Sequence, residues 1–248
     1  MKKIALLLIF NIVTLVAETE LKDGSYSWFR GGSQAYLNLH KEKDNLYKIT
    51  GECLYGVGRK GGPNMGDLEF TAPLKDGKIV YTYKDYKFIL YVNNDGSFDV
   101  KDNANTAIFG FNARFYGHFT SDDLPSFSCK KANSFIEHTI CDNVQIARLD
   151  RKMARVYKMY WSAFFYEDKQ KSLEKRLKKE QRFWIKKRNK CEYVKDYKSC
   201  LVTSYKNRIK ELEKEFNHFW GYDDYIYWSR LKNSKLIDLE EFLSKRKG

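Results

Sequence analysis

Residues 74–92 read Leu74-Lys75-Asp76-Gly77-Lys78-Ile79-Val80-Tyr81-Thr82-Tyr83-Lys84-Asp85-Tyr86-Lys87-Phe88-Ile89-Leu90-Tyr91-Val92. Asp76-Gly77 is a tight hairpin turn, because glycine accepts the positive φ such a turn demands. The flanking segments 78–84 and 86–92 are rich in β-branched and aromatic residues and read as strands. Working outward, Asn94-Asp95-Gly96 is a second turn, and 97–100 and 109–115 read as further strands. Upstream, 34–41 alternates with Ala35, Leu37 and Leu39 on one face. Residues 47–55 and 67–74 follow the same rule. Strands joined by turns predict an antiparallel sheet or small barrel.

The texture changes after residue 123. Ser134 and Glu137 have capping-box spacing for a short helix, and Asp142 and Gln145 repeat it for a long one. Ile146, Leu149, Met153, Val156, Tyr157, Tyr160 and Phe164 then form one stripe. A second helix carries Leu173, Leu177, Trp184 and Ile185. A third carries Val202, Tyr205, Ile209, Leu212, Phe216 and Phe219 at nearly heptad spacing, ended by Gly221. A short helix over 236–245 is expected last. The fold class is therefore α+β in two domains, with a β-domain over 18–123 and a helical hairpin or bundle over 124–248.

Charge divides at the same boundary. The chain carries +13 over 248 residues. Residues 18–123 hold 13 Lys and Arg against 15 Asp and Glu; residues 124–248 hold 30 against 17. Such a step marks two different surfaces. Residues 1–17 combine Lys2-Lys3, an apolar run and Ala17, the layout of a secretory signal peptide. That run is shorter than the ~20 residues of a spanning helix. The mature chain is expected to be periplasmic or secreted, and not an integral membrane protein.

Five cysteines fit an exported chain. Cys129 with Cys141, and Cys191 with Cys200, would each close a short loop at a helix junction. Cys53 is left as a buried thiol on an apolar strand face. CxxC and HxxxH spacings are absent, which argues against a metal site, and no cofactor is implied. Asp150 and Arg188 come to one level if the first two long helices turn back near Glu167, which predicts a partly buried ion pair fixing register.

The helical part also resembles a known family. Cys129, Ala132, Glu137, Ile140-Cys141, Leu149-Asp150, Tyr157, Glu180-Gln181-Arg182, Trp184, Arg188, Cys191, Cys200, Tyr205, Arg208-Ile209 and Leu212 follow the pattern of the LprI-type lysozyme inhibitor domain over about 129–212. The resemblance implies an exported, helical, disulfide-bonded binding protein whose partner is lysozyme or another muralytic enzyme, and no enzymatic activity of its own.

One feature pulls another way. Host-defence lysozymes are strongly cationic, and so is this helical part. Residues 169–190 carry eleven Lys and Arg against two Glu. Either the near-neutral β-domain touches the enzyme, or the partner is an anionic envelope component: cell-wall polymer, lipid headgroup or acidic protein. Lys175, Arg176, Lys178, Lys179 and Arg182 are the candidate face for that partner. Arg59, Lys60 and Asn64, in the glycine-rich loop 56–66, are the candidate binding loop. No RNA- or DNA-binding motif is present, which argues against nucleic acid.

Overall fold

The computed structural model describes residues 21–56, 63–104, 108–164 and 169–220, with side chains to 216. The signal segment expected at 1–17, Arg59 and Lys60, the bend expected near Glu167, Gly221 and the helix expected at 236–245 lie outside the described residues.

Eight strands follow in order: β1 (Gly24–Arg30), β2 (Ser33–Lys43), β3 (Leu46–Tyr55), β4 (Asn64–Lys75), β5 (Lys78–Tyr83), β6 (Tyr86–Val92), β7 (Phe98–Asp102) and β8 (Gly117–Ser121). Each pairs antiparallel with the next, and β1 closes on β8 through Tyr26–Ser121 and Ser27–Thr120. The result is a closed up-and-down barrel, which leaves no free sheet edge. The β4–β5 turn has φ 49° at Asp76 and 68° at Gly77, the primed-turn geometry that matches strand twist.

Side-chain alternation sorts the barrel. Leu37, Leu39, Ile49, Phe88, Leu90 and Phe98 point inward and are fully buried. The interior tyrosines send their hydroxyls to the barrel's ends: Tyr47 donates to the Leu21 carbonyl at 2.8 Å and Tyr26 to the Lys22 carbonyl at 3.0 Å. Two strand readings need correction. Residues 109–115 are irregular, with Asn112 at φ 60°, and they drop Phe109 and Phe115 into the barrel. Gly66 makes room for this, since a Cβ there would lie 2.4 Å from the Phe109 ring. The closing strand is β8 instead. The reading also missed β1, although Tyr26 and Trp28 alternate with serines.

Four helices follow: α1 (Phe135–Asp142), α2 (Val144–Ala163), α3 (Gln170–Asn189) and α4 (Tyr197–Trp220). α1 has the expected capping box: the Ser134 hydroxyl accepts from the Glu137 N–H, and the Glu137 carboxylate accepts from the Ser134 N–H. α2 is capped by Asn143 rather than Asp142, its side chain accepting from the Ile146 N–H at 3.0 Å. α4 packs along α2 and against α3. The stripes predicted for α2 and α4 form the helical core, with Ile146, Tyr160, Tyr205 and Leu212 essentially without exposure. In α3 the buried positions are Leu177, Gln181, Trp184 and Arg188; Ile185, expected inside, faces solvent because it falls outside that quarter of the helix.

The helical core reaches onto the barrel's outer wall. Leu54, 1 % exposed, points away from the barrel interior and packs in the helical cluster, with Tyr36 and Met65 beside it. α2 fixes the seam. Arg151 donates from Nε to the Leu124 carbonyl at 2.9 Å and from Nη2 to the Thr120 hydroxyl, and it lies 3.8 Å from Asp122. Ser27 donates its hydroxyl to the same carboxylate. Burial pushes the Asp122 carboxyl up, opposed by Arg155, Arg151 and the Ser27 hydrogen bond. The Lys158 ammonium sits 4.4 Å above the Phe29 ring.

Candidate functional site

The two disulfides lie at one end of the helical part. Cys129–Cys141 ties the 3₁₀ turn before α1 to that helix's last turn, and Cys191–Cys200 ties the 3₁₀ turn Lys190–Tyr193 to the first turn of α4. The turn Lys190–Tyr193 also contacts α1. This cross-linked end carries exposed apolar side chains. Tyr193 is 83 % exposed, Phe135 and Val194 are about half exposed, and the Phe135 and Tyr197 rings meet edge-on at 5.1 Å. The same segments, 130–142 and 190–198, carry the carboxylates Glu137, Asp142, Glu192 and Asp196 and the cations Lys130, Lys131, Lys190, Lys195 and Lys198. Glu137 accepts from the Asn133 N–H at 2.9 Å, and these backbone donors hold its carboxyl below the usual range. A rigid projection with aromatic tips loses little conformational freedom when a partner covers it.

Beneath this tip lies a buried polar network. Asp150 accepts from the Tyr205 hydroxyl at 2.7 Å on one oxygen, and from the Ser126 N–H at 2.8 Å and hydroxyl at 2.6 Å on the other. Arg188 donates to the Tyr205 hydroxyl at 2.8 Å and to the Asn189 side chain at 2.7 Å and 3.1 Å. The expected direct Asp150–Arg188 pair is thus corrected: Tyr205, reaching in from α4, stands between them. Its hydroxyl resists ionisation, through burial first and the Asp150 charge second. One level further along, Arg208 donates to Gln181 at 3.1 Å and to Glu211 at 3.3 Å. Asp150, Tyr205 and Arg188 are linked in a chain of hydrogen bonds, while Arg208 Nη2 is buried without a hydrogen-bond partner. Tyr205 and Ser126 were missed as members; Tyr205 was visible in the Tyr205-x-x-Arg208-Ile209 spacing.

The outer side of α3 is a third feature. Lys175, Arg176, Lys178, Lys179 and Arg182 are all exposed. Arg176 is partly engaged, 3.6 Å from Glu180 and donating to the Tyr160 hydroxyl at 3.2 Å. Phe183, 64 % exposed, stands among them with the Lys187 ammonium 5.6 Å from its ring.

The barrel offers less. Asn64, expected in a loop, begins β4 and pairs with Tyr55 of β3. A shallow groove of about 390 Å³ on the outer face of β6–β8 is lined by Tyr91, Asp99, Lys101, Tyr116 and His118, with His118 Nδ1 3.0 Å from Asp99. Cys53 is fully buried, and that burial pushes its thiol up, which suits packing and not nucleophilic chemistry. Among the described residues no group of three or more His, Cys, Asp or Glu is placed to hold a metal ion.

Comparison with known proteins meets this geometry at one place. Residues 129–212 match the family model described as Lysozyme inhibitor LprI. The helical part carries an LprI domain. No curated protein and no solved structure matches the chain. The LprI match begins at the first disulfide cysteine and ends within α4, so it takes in both disulfides, the α3 face, the tip and all of the polar network except Ser126, and leaves the barrel out. No described helix is long and apolar enough to cross a membrane.

Proposed function

We propose that this chain is an exported, non-catalytic inhibitor of lysozyme or a related cell-wall lytic enzyme, and that it acts by seating the disulfide-bound tip of its LprI domain in the enzyme's cleft. The observation that carries this is the family match, whose span includes the cross-linked end where Phe135, Tyr193, Val194 and Tyr197 stand exposed or partly exposed. Two disulfides in a small helical unit support an oxidising compartment. The tip mixes both signs of charge. It also begins about 16 Å along the helix axis from the middle of the basic α3 face, about twice the ~8 Å screening length. A cationic enzyme can therefore approach the tip without meeting the strongest repulsion.

A turbidity assay of cell-wall lysis tests the reading. An equimolar amount of the protein should suppress lysis. Phe135→Ser with Tyr193→Ser should weaken inhibition by roughly thirtyfold, as removal of an interface hot spot does, with only a small fall in melting temperature, because Tyr193 is exposed and Phe135 gives up a single ring contact with Tyr197. Replacing Lys175, Arg176, Lys178 and Lys179 by Glu should leave inhibition intact or raise the on-rate. Undiminished lysis at molar excess would overturn the proposal.

A further inference from the structure

The outward side of α3 is unused by the tip and unexplained by the fold. At 100° per residue, the buried set Leu177, Gln181, Trp184 and Arg188 occupies one quarter of the helix. The opposite sector holds Lys171, Lys175, Lys179, Arg182 and Lys186, all exposed, with Lys178 at its edge. Both acidic residues of the helix, Glu174 and Glu180, fall outside that sector. The cations stand in register: Lys171 with Lys175, Lys175 with Lys179, Lys178 with Arg182, and Arg182 with Lys186 are all four apart. Like charges at this spacing weaken a helix, so solubility alone is a poor reason for the arrangement. The row extends for about 22 Å along a convex helix, a shape that meets a plane better than it wraps a strand.

We infer that this face docks on an anionic phospholipid bilayer, lying on the surface without crossing it. Charge complementarity supplies the attraction, since basic clusters on a helix are drawn to anionic headgroups. The choice of lipid over a soluble polyanion rests on Phe183 and Ile185. Both are exposed and flank the basic row on opposite sides, where a bilayer interface offers them an apolar phase and a hydrated polymer does not. The inference is independent of the inhibitory reading, because it uses a different face and its test contains no lytic enzyme.

The test is flotation of the whole protein with phosphatidylcholine vesicles, with and without about one third phosphatidylglycerol. Binding should require phosphatidylglycerol and should fall roughly tenfold between low and physiological salt. Replacing Lys175, Lys179, Arg182 and Lys186 by Glu should weaken it by roughly a hundredfold or more; replacing them by Gln should act in the same direction with less force. Phe183→Ser should weaken vesicle binding several-fold and leave binding to heparin, a soluble polyanion, unchanged. Circular dichroism confirms that each variant folds. Equal binding to both vesicle types, or none to either, overturns the inference. So does heparin binding as tight as vesicle binding with no effect of Phe183→Ser, which would assign the face to a polymer.

Discussion

The barrel and the LprI domain bury opposite kinds of interior. The barrel is filled by rings and aliphatic chains such as Phe88, Phe98 and Phe119, with its tyrosine hydroxyls satisfied at the rims. The LprI domain buries Asp150, Arg188, Gln181 and Arg208 at its centre and hydrogen-bonds them across helices. Closure explains the difference. A closed barrel fixes its register through continuous strand pairing and needs no polar key. Helices have no backbone bonds between them, so their sliding must be stopped by side chains. The disulfides follow the same division, since both lie in the helical part and the barrel's Cys53 is free.

The strongest way to break that comparison is to cut the polar key. Asp150→Ala strands the Tyr205 hydroxyl, the Ser126 N–H and the Arg188 charge, and should cost about 3–5 kcal/mol. Arg188→Ala should cost a similar amount, and the double variant less than the sum, because the two share Tyr205. Denaturant unfolding followed by circular dichroism measures all three. If Asp150→Ala left melting unchanged and instead abolished inhibition, the network would be functional and the contrast with the barrel would fail.

Removing a disulfide should have the next largest effect. Each closes a short loop, with sequence separations of 12 and 9 residues, and should contribute about 3 kcal/mol in the chain-entropy account. Cys191→Ser with Cys200→Ser should lower the stability of the helical part accordingly. Cys53 provides the internal control. Buried among barrel residues, it should stay unreactive to thiol reagents in this variant until the barrel itself opens. Rapid labelling of Cys53 in the variant under native conditions would show that the barrel depends on the helical cross-links.

How much of this was legible differs between the two regions for a physical reason. Barrel strands announce themselves through alternation and turn chemistry, as at Leu37–Leu39 and Asp76-Gly77, because both signals are local. The segment 109–115 defeated that logic: its aromatics are buried, but as plugs in the barrel and not as a strand, and only the space above Gly66 reveals this. In the helices, spacing exposed the apolar stripes and the cysteine pairs. It could not show that α4 inserts Tyr205 between Asp150 and Arg188, since that contact spans 55 residues and depends on which helices are neighbours. Nor could spacing show the tip, because Phe135 and Tyr197 come together only through the packing of two separate helices. The exposure of Lys175, Lys178, Lys179 and Arg182 was readable, since they lie on consecutive turns of one helix, but the engagement of Arg176 with Tyr160 was not.

The smallest expected effect sharpens the comparison at two carboxylates with opposite pH signatures. Glu137 is held down by donors from Asn133 and Ser134. A depressed folded-state pKa stabilises above the unfolded glutamate range, and the contribution is lost as pH falls through the folded value. Asp122, at the seam between barrel and α2, is pushed up by burial. The native state then holds its proton more firmly, so Asp122 takes stability away as pH rises from the unfolded aspartate range through the raised folded value. Ser134→Ala should cost about 1 kcal/mol by removing the cap hydroxyl. Glu137→Gln should cost less, because the residue is partly exposed and water screens it, and it should flatten the acid limb of the stability curve. Asp122→Asn should flatten the limb above it while leaving the Ser27 hydroxyl an acceptor. Stability measured by urea unfolding across the acid range separates the two. If both substitutions changed the same limb in the same direction, the seam carboxylate would be as well solvated as the cap. The close packing of Arg151, Ser27 and Asp122 between the two regions would then contribute nothing to holding them together.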